Sequence, residues 1–285
     1  MQINGDFYLN NKPVVSCAHL NLSMIDLNDH ARLLQFYRPS ALHVRMRVYR
    51  MDTDTITLLP LKRQVQRFNL KFTREGKIKE ISDTVPVTRQ WIFAYDNNHR
   101  MIRKTVYSTE QVVEREEHYE YNVADQLYLT RTIDYTKNEP HEKHLILMEI
   151  DNHLRELTVD AAAEIPCLFY THKIEYDDNG LENKHLVYDI NDVFLTGHSY
   201  FYNPDETISD CFELDAEGVP TSHSSFTYNE YGDPISKTLR NRQTVKNEYL
   251  YIYDKMGYWN EMHHVKNGEL KWIFERQIFF YSEGW

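Results

Sequence analysis

An aromatic or aliphatic residue followed by Asp or Asn recurs down this chain at nearly constant spacing, and a repeat of that length restricts the fold more than any other feature. It stands at Tyr95-Asp96, Tyr121-Asn122, Ile150-Asp151, Tyr176-Asp177, Tyr202-Asn203, Tyr228-Asn229 and Tyr253-Asp254, with Tyr281-Ser282 closing the series. The intervals are 26, 29, 26, 26, 26, 25 and 28 residues. Two residues before each anchor stands Phe93, Tyr119, Met148, Ile174, Tyr200, Phe226, Tyr251 or Phe279. Apolar residues two apart share one face of a strand, so each unit carries a short stripe for a sheet core.

The Asp or Asn of each anchor begins a turn, and Gly180, Gly232 and Gly257 follow it by three positions. Asx side chains bond nearby backbone, and glycine accepts a positive φ, which is the chemistry a tight connection needs. A second extended stretch then starts, as in Lys104-Thr105-Val106-Tyr107, Arg131-Thr132-Ile133-Asp134-Tyr135 or Cys211-Phe212-Glu213-Leu214. Each unit therefore reads as a hairpin of two strands and two short turns. Phe72, Gly76 and Ile78 read as a degenerate earlier copy, and Ala161-Ala162-Ala163 up to Pro166 predicts a break or short helix. The fold class expected is mainly β: antiparallel hairpin repeats of about 26 residues in a curved or spiralling sheet, with a small α+β N-terminal cap. Roughly sixteen strands exceed what a flat open sheet tolerates, which is the reason to expect curvature. The composition agrees, with 21 Tyr and 13 Phe against 9 Gly and 9 Pro.

The expected boundaries are a cap over 1–66 and a repeat domain over 67–285. In the cap, residues 7–15 read as a hairpin around Asn10-Asn11-Lys12-Pro13, and residues 28–37 read as a short helix that Asn28 caps and Pro39 ends. A sheet of this kind leaves two unpaired edges, and the cap is expected to cover one of them.

The Tyr-x-Tyr-Asp spacing, the turn glycine and the stretch Tyr251-Ile252-Tyr253-Asp254-Lys255-Met256-Gly257-Tyr258-Trp259-Asn260 resemble the YD repeats of bacterial Rhs-type proteins. The resemblance covers residues 68–281; Asn replaces Asp in three anchors, Ile150 replaces Tyr, and several turns lack Gly. It implies a curling antiparallel sheet that encloses or supports other polypeptide and does no chemistry itself. Full-length effectors of that family end in a toxin domain. Here Tyr281 is four residues from Trp285, so a stand-alone repeat protein is expected.

Several chemistries are excluded or unsupported. The nine glycines are never closer than Gly257 and Gly268, so no GxGxxG, P-loop or GxSxG motif exists. His141-Glu142-Lys143-His144 and His263-His264 lack the helical spacing of a zincin, and Pro140 suggests that the first group lies in a turn. His172 and His198 each stand four before an anchor, which predicts a shared packing position. No catalytic, metal or cofactor residue is assigned. Cys17, Cys167 and Cys211 are an odd number at wide spacings, which fits a reducing compartment. The opening Met1-Gln-Ile-Asn-Gly has no basic-then-apolar signal pattern, and the expected location is the cytoplasm.

Charge is uneven along the chain. The formal net charge is −11, which argues against general binding to nucleic acid or anionic membrane. Between Lys184 and Lys237 there is no Lys or Arg, while Asp189, Asp192, Asp205, Glu206, Asp210, Glu213, Asp215, Glu217, Glu230 and Asp233 all lie there. Residues 38–79 hold eleven Lys or Arg against three acids. Clustered acids repel one another, a cost that steered association with a cationic partner offsets. A merely solvated acidic surface is the alternative. The function expected is a non-catalytic protein-binding repeat protein, in its sharpest form a cytosolic immunity protein that neutralises a cationic toxin of the type VI or Rhs kind through those ten acids. A carbohydrate-binding or cell-surface scaffold and an enzyme with an unrecognised site are the alternatives.

Overall fold

A computed structural model describes residues 7–9, 12–14, 41–53, 59–84, 89–123, 126–136, 139–150, 153–160 and 167–280. Every element in them is a β-strand, and every strand pairing is antiparallel. Strands β1 (Phe7–Leu9) and β2 (Lys12–Val14) form the expected N-terminal hairpin. The helix expected over 28–37, the break at 161–166 and the anchor Tyr281 lie outside the described residues.

The longer strands are β3 (Ala41–Thr53), β4 (Pro60–Phe72), β5 (Ile78–Asp83), β6 (Arg89–Tyr95), β7 (Met101–Tyr107), β8 (Val113–Tyr121), β9 (Leu127–Asp134), β10 (His141–Ile150) and β11 (His153–Asp160). They continue with β12 (Cys167–Tyr176), β13 (Glu182–Tyr188), β14 (Phe194–Tyr202), β15 (Ile208–Leu214), β16 (Pro220–Tyr228), β17 (Pro234–Arg240), β18 (Thr244–Tyr253), β19 (Trp259–Lys266) and β20 (Glu269–Phe280). Tyr95, Tyr121, Ile150, Tyr176, Tyr202, Tyr228 and Tyr253 are the last residues of β6, β8, β10, β12, β14, β16 and β18. The repeat is thus a hairpin repeat, as its spacing predicts.

Many of its turns share one geometry. In the turn opened by Asp254, the Asp254 N–H donates to the Tyr258 carbonyl at 2.7 Å, and the Gly257 N–H donates back to the Asp254 carbonyl at 3.1 Å. Asp254 Oδ1 meanwhile accepts from the N–H groups of Met256 and Tyr258, and Gly257 has φ +79°. A tight turn ending in a left-handed residue creates a bulge, and the pairing of β18 with β19 shifts register between Ile252 and Tyr253. Asp96, Asp177, Asp189, Asp215 and Asn229 make the same two side-chain bonds to residues two and four ahead. Asp189 and Asp215 open turns after β13 and β15, halfway between anchors. The same turn chemistry therefore also closes the other end of these hairpins, between two anchors.

Three of the anchor tyrosines tie their hairpin to the one before it. Tyr121 donates to the Met101 carbonyl at 2.8 Å, Tyr202 to the Glu182 carbonyl at 2.6 Å, and Tyr253 to Asp233 Oδ2 at 2.7 Å. In each pair the acceptor lies twenty residues earlier, so a hydroxyl caps the neighbouring turn while its ring packs in the sheet. Burial pushes the Tyr95 phenol up to about 12.

The chain divides into two compact units. One comprises Met1–Ala31, Ala94–Thr105 and Val113–Ser224; the other comprises Arg32–Phe93, Val106–Val112 and Ser225–Trp285. The first contains the ladder from β8 to β15, with each strand paired to its sequence neighbour. In the second, β17, β18, β19 and β20 pair in order, β20 then pairs with β3, and β3 continues through β4 and β5 to β6. One of the two expected edges is covered here, because β20 takes β3 as its neighbour. Residues expected in the cap supply that neighbour, and the expected boundary between 66 and 67 falls inside β4.

Register explains the core of this second unit. Met262, Phe274 and Val48 form one cross-strand row, Met46 and Phe68 the next, and Val44 and Leu70 a third. All seven are buried. Fully burying each such side chain contributes about 1.5–3 kcal/mol, and β-branched or aromatic neighbours on one face are what favour the strand over a helix.

Candidate functional site

The ten acids singled out by charge do not form one cluster. Asp189 and Asp192 lie in the β13–β14 turn, and Asp215 and Glu217 in the β15–β16 turn, with Glu213 near the end of β15. These five occupy one end of the first unit's ladder. Asp205 and Glu206 lie in the β14–β15 turn at the opposite end, and Asp210 lies on β15. Glu230 and Asp233 lie in the turn between β16 and β17, within the second unit.

Six of the ten have an evident structural task. Asp189 and Asp215 cap turns, as described above. Asp205 accepts from the Thr207 hydroxyl at 2.7 Å and its N–H at 3.2 Å, and these bonds hold its carboxyl below the usual range. Asp192 pairs with Lys173 Nζ at 3.1 Å, and Asp210 meets His223 Nε2 at 2.7 Å. Asp233 is buried and takes the Tyr253 hydroxyl. Glu206, Glu213, Glu217 and Glu230 are exposed. Sequence counts charges; only the fold separates carboxylates that cap turns from those that face water.

What the charge pattern missed is the apolar material beside these acids. At the end of the ladder that carries Glu213 and Glu217, Ile190 is 62% exposed, Val193 and Val219 are each 55% exposed, and Leu195 is 37% exposed. Ile190 and Val193 belong to the turn opened by Asp189, and Val219 to the turn opened by Asp215. An apolar patch rimmed by charge is the composition of a protein-binding surface. The visible signal was an apolar residue inside a turn, where loop composition calls for polar ones.

Other sequence candidates resolve into structure. His144 is on β10, bonded to Glu142 at 2.6 Å, so the segment after Pro140 is strand and not turn. His263 bonds Glu261, whereas His264 bonds Asn247 at 2.9 Å and stacks on Tyr249. His172 contacts His185 at 2.8 Å, and His198 stacks on Tyr200. Among the described residues, no three His, Cys, Asp or Glu side chains form a group able to hold a metal ion. Cys211 is half-buried on β15. A cavity of about 370 Å³ in the second unit is lined by Asp254, Trp259, Asn260, Arg276, Gln277 and Phe279 among others. Asp254 there serves its turn, and the Arg276 guanidinium lies over the Trp259 ring at 3.6 Å while its Nε donates to the Trp259 carbonyl.

No family model and no curated protein matches the chain. Similar solved structures include the crystal structure of TcdB2-TccC3-Cdc42, at 8% identity and TM-score 0.35, covering 75% of this chain and 14% of that one. TcdB2-TccC3 without its hypervariable C-terminal region is also similar, at 8% identity and TM-score 0.32, covering 74% of this chain and 16% of that one. A porin-like protein from Bacteroides uniformis is similar at 10% identity and TM-score 0.29, covering 85% of this chain and 98% of that one. This chain spans about one seventh of the TcdB2-TccC3-Cdc42 chain it matches.

Proposed function

We propose that the protein is a non-catalytic, cytosolic binding protein of the YD-repeat kind, and most concretely an immunity protein that holds a cationic bacterial toxin domain. The observation that carries this reading is the patch of Ile190, Val193, Leu195 and Val219 beside the exposed carboxylates of Glu213 and Glu217. The apolar tips supply anchors that lose water on binding, and the carboxylates steer a basic partner and reject acidic ones. Rigid hairpin ends present both at little ordering cost.

Capture from the native host's lysate on the immobilised protein, followed by binding at rising salt, tests it. A basic polypeptide should be retained, with association slowing as salt rises, and Val219→Asp should cost about 2 kcal/mol of affinity. Retention of no polypeptide, or affinity indifferent both to salt and to V219D, would refute the reading.

A second reading rests on the row of Phe201, Phe212 and His223 across β14, β15 and β16. Phe212 and His223 stack at 4.3 Å, Phe201 meets Phe212 edge-on, and Asp210 holds His223. Such a row can stack sugar rings, and a glycan array whose signal disappears in F201A would favour it over a protein partner.

A further inference from the structure

The second unit has a face opposite its core, and register orders that face into three rows. Phe279, His43, Lys71 and Glu80 form one row, Gln277, Arg45, Asn69 and Ser82 the next, and Glu275, Arg47 and Arg67 the third. The carboxylates at the margins are engaged. Glu80 takes Lys71 at 2.9 Å, and Glu275 takes Lys62 at 2.5 Å and the Tyr49 hydroxyl at 3.0 Å. Arg45 lies over the Phe279 ring at 5.2 Å.

Arg47 and Arg67 stand directly opposite each other on adjacent strands, and like charges so placed weaken a sheet. Among the described residues, neither has a carboxylate oxygen within salt-bridge distance; Arg47 acts on Glu275 only through space. The Nε of Arg67 is buried and has no hydrogen-bond partner there, although a buried guanidinium N–H needs one. Arg45 sits two residues from Arg47 on the same strand face, about 7 Å along it. The three arginines therefore share one face of adjacent strands, and the Glu275 carboxylate beside Arg47 is already engaged by Lys62 and Tyr49.

We propose that Arg45, Arg47 and Arg67 form a binding site for a phosphoryl group, seated between Arg47 and Arg67 with Arg45 at its flank. The chemistry selects that class of ligand. Each guanidinium offers a planar fork of donors, and a tetrahedral phosphate has enough terminal oxygens to serve three forks, whereas a carboxylate has two oxygens. A dianion placed there also cancels the repulsion across the Arg47–Arg67 pair. Arg45 lies over the Phe279 ring and Lys62 over the Tyr49 ring, so cations already occupy the aromatic faces they meet and recognition falls on the phosphoryl group rather than on a stacked base.

The test is a titration of the full-length chain with inorganic phosphate at constant ionic strength, read from the arginine Nε–H signals by nitrogen-15 NMR. The Arg47 and Arg67 signals should shift saturably, and chloride at the same ionic strength should not reproduce the shift. Arg67→Gln should weaken phosphate at least about tenfold, and the exposed Arg47→Gln, which leaves the core untouched, should do the same. Adenosine monophosphate binding more tightly than phosphate would place the ligand among nucleotides; equal affinity would support a site that reads only the phosphoryl group. Shifts that do not saturate, glutamate binding as tightly as phosphate, or unchanged affinity in R47Q would overturn the assignment.

Discussion

At the residue scale, the left-handed position of each turn decides local stability. Gly76, Gly180, Gly218, Gly232 and Gly257 fill it at φ between 77° and 82°, while His99, Gln111, Asp192 and Glu206 fill it at φ between 60° and 65°. A residue with a Cβ is strained there, and glycine is not. Glu206→Gly should accordingly raise the unfolding free energy by about 0.5–1 kcal/mol in urea titrations, and Gly218→Ala should lower it by about 1 kcal/mol. Nothing lies within 4 Å of a Cβ built on Gly218, so that loss would come from backbone conformation alone. The turns marked by glycine were readable from sequence. The turn that holds Glu206 was marked by its anchor Tyr202-Asn203, whereas that of Asp192 has neither an anchor nor a glycine, and its acids looked like part of a charge cluster.

At the element scale, the pairing of β7 with β8 gives Lys104 a partner where the sequence showed only an extended stretch. Lys104 is 2% exposed, and its Nζ lies 2.9 and 2.8 Å from the two carboxylate oxygens of Glu117. Tyr119 donates to the same carboxylate at 2.6 Å, and Arg115 Nε approaches it at 3.2 Å. Burial pushes the Glu117 carboxyl up, but Lys104 and the other donors outweigh it and hold the carboxyl below its usual range. For Lys104 burial wins, and its pKa is lowered despite Glu117. The difference follows from the additional donors that serve Glu117 alone.

Removing one partner strands a buried charge, so Lys104→Met should cost about 3–5 kcal/mol, and the double change K104M/E117L should recover most of that loss. The acid dependence has a definite sign. Because the folded Glu117 binds its proton less readily than the unfolded residue, its stabilisation is complete above the ordinary carboxylate pKa. It is lost as pH falls through the depressed folded value. Unfolding measured across that acid range should show a shallower loss in Glu117→Gln than in the parent.

At the scale of the whole molecule, the pairing of β20 with β3 joins residues more than two hundred positions apart, and it makes the second unit depend on both segments at once. Phe274, 1% exposed, sits between Met262 and Val48 in that ladder. Phe274→Ala should destabilise the unit by about 3–5 kcal/mol. Hydrogen exchange at the amides of Val44 and Val48 should accelerate with it, although neither is near residue 274 in sequence.

Periodic aromatic and Asx residues determined that this chain makes antiparallel hairpins, since alternation and turn chemistry act over a few neighbouring residues and survive without any knowledge of the rest. Pairing between distant strands is different, because every extended strand offers the same backbone donors and acceptors and the winner depends on how all the faces pack together. That is why only the tertiary structure could put β3 beside β20 and Lys104 against Glu117, set Arg47 against Arg67, and sort ten acids into turn caps, partners of Lys173, His223 and Tyr253, and groups that face water.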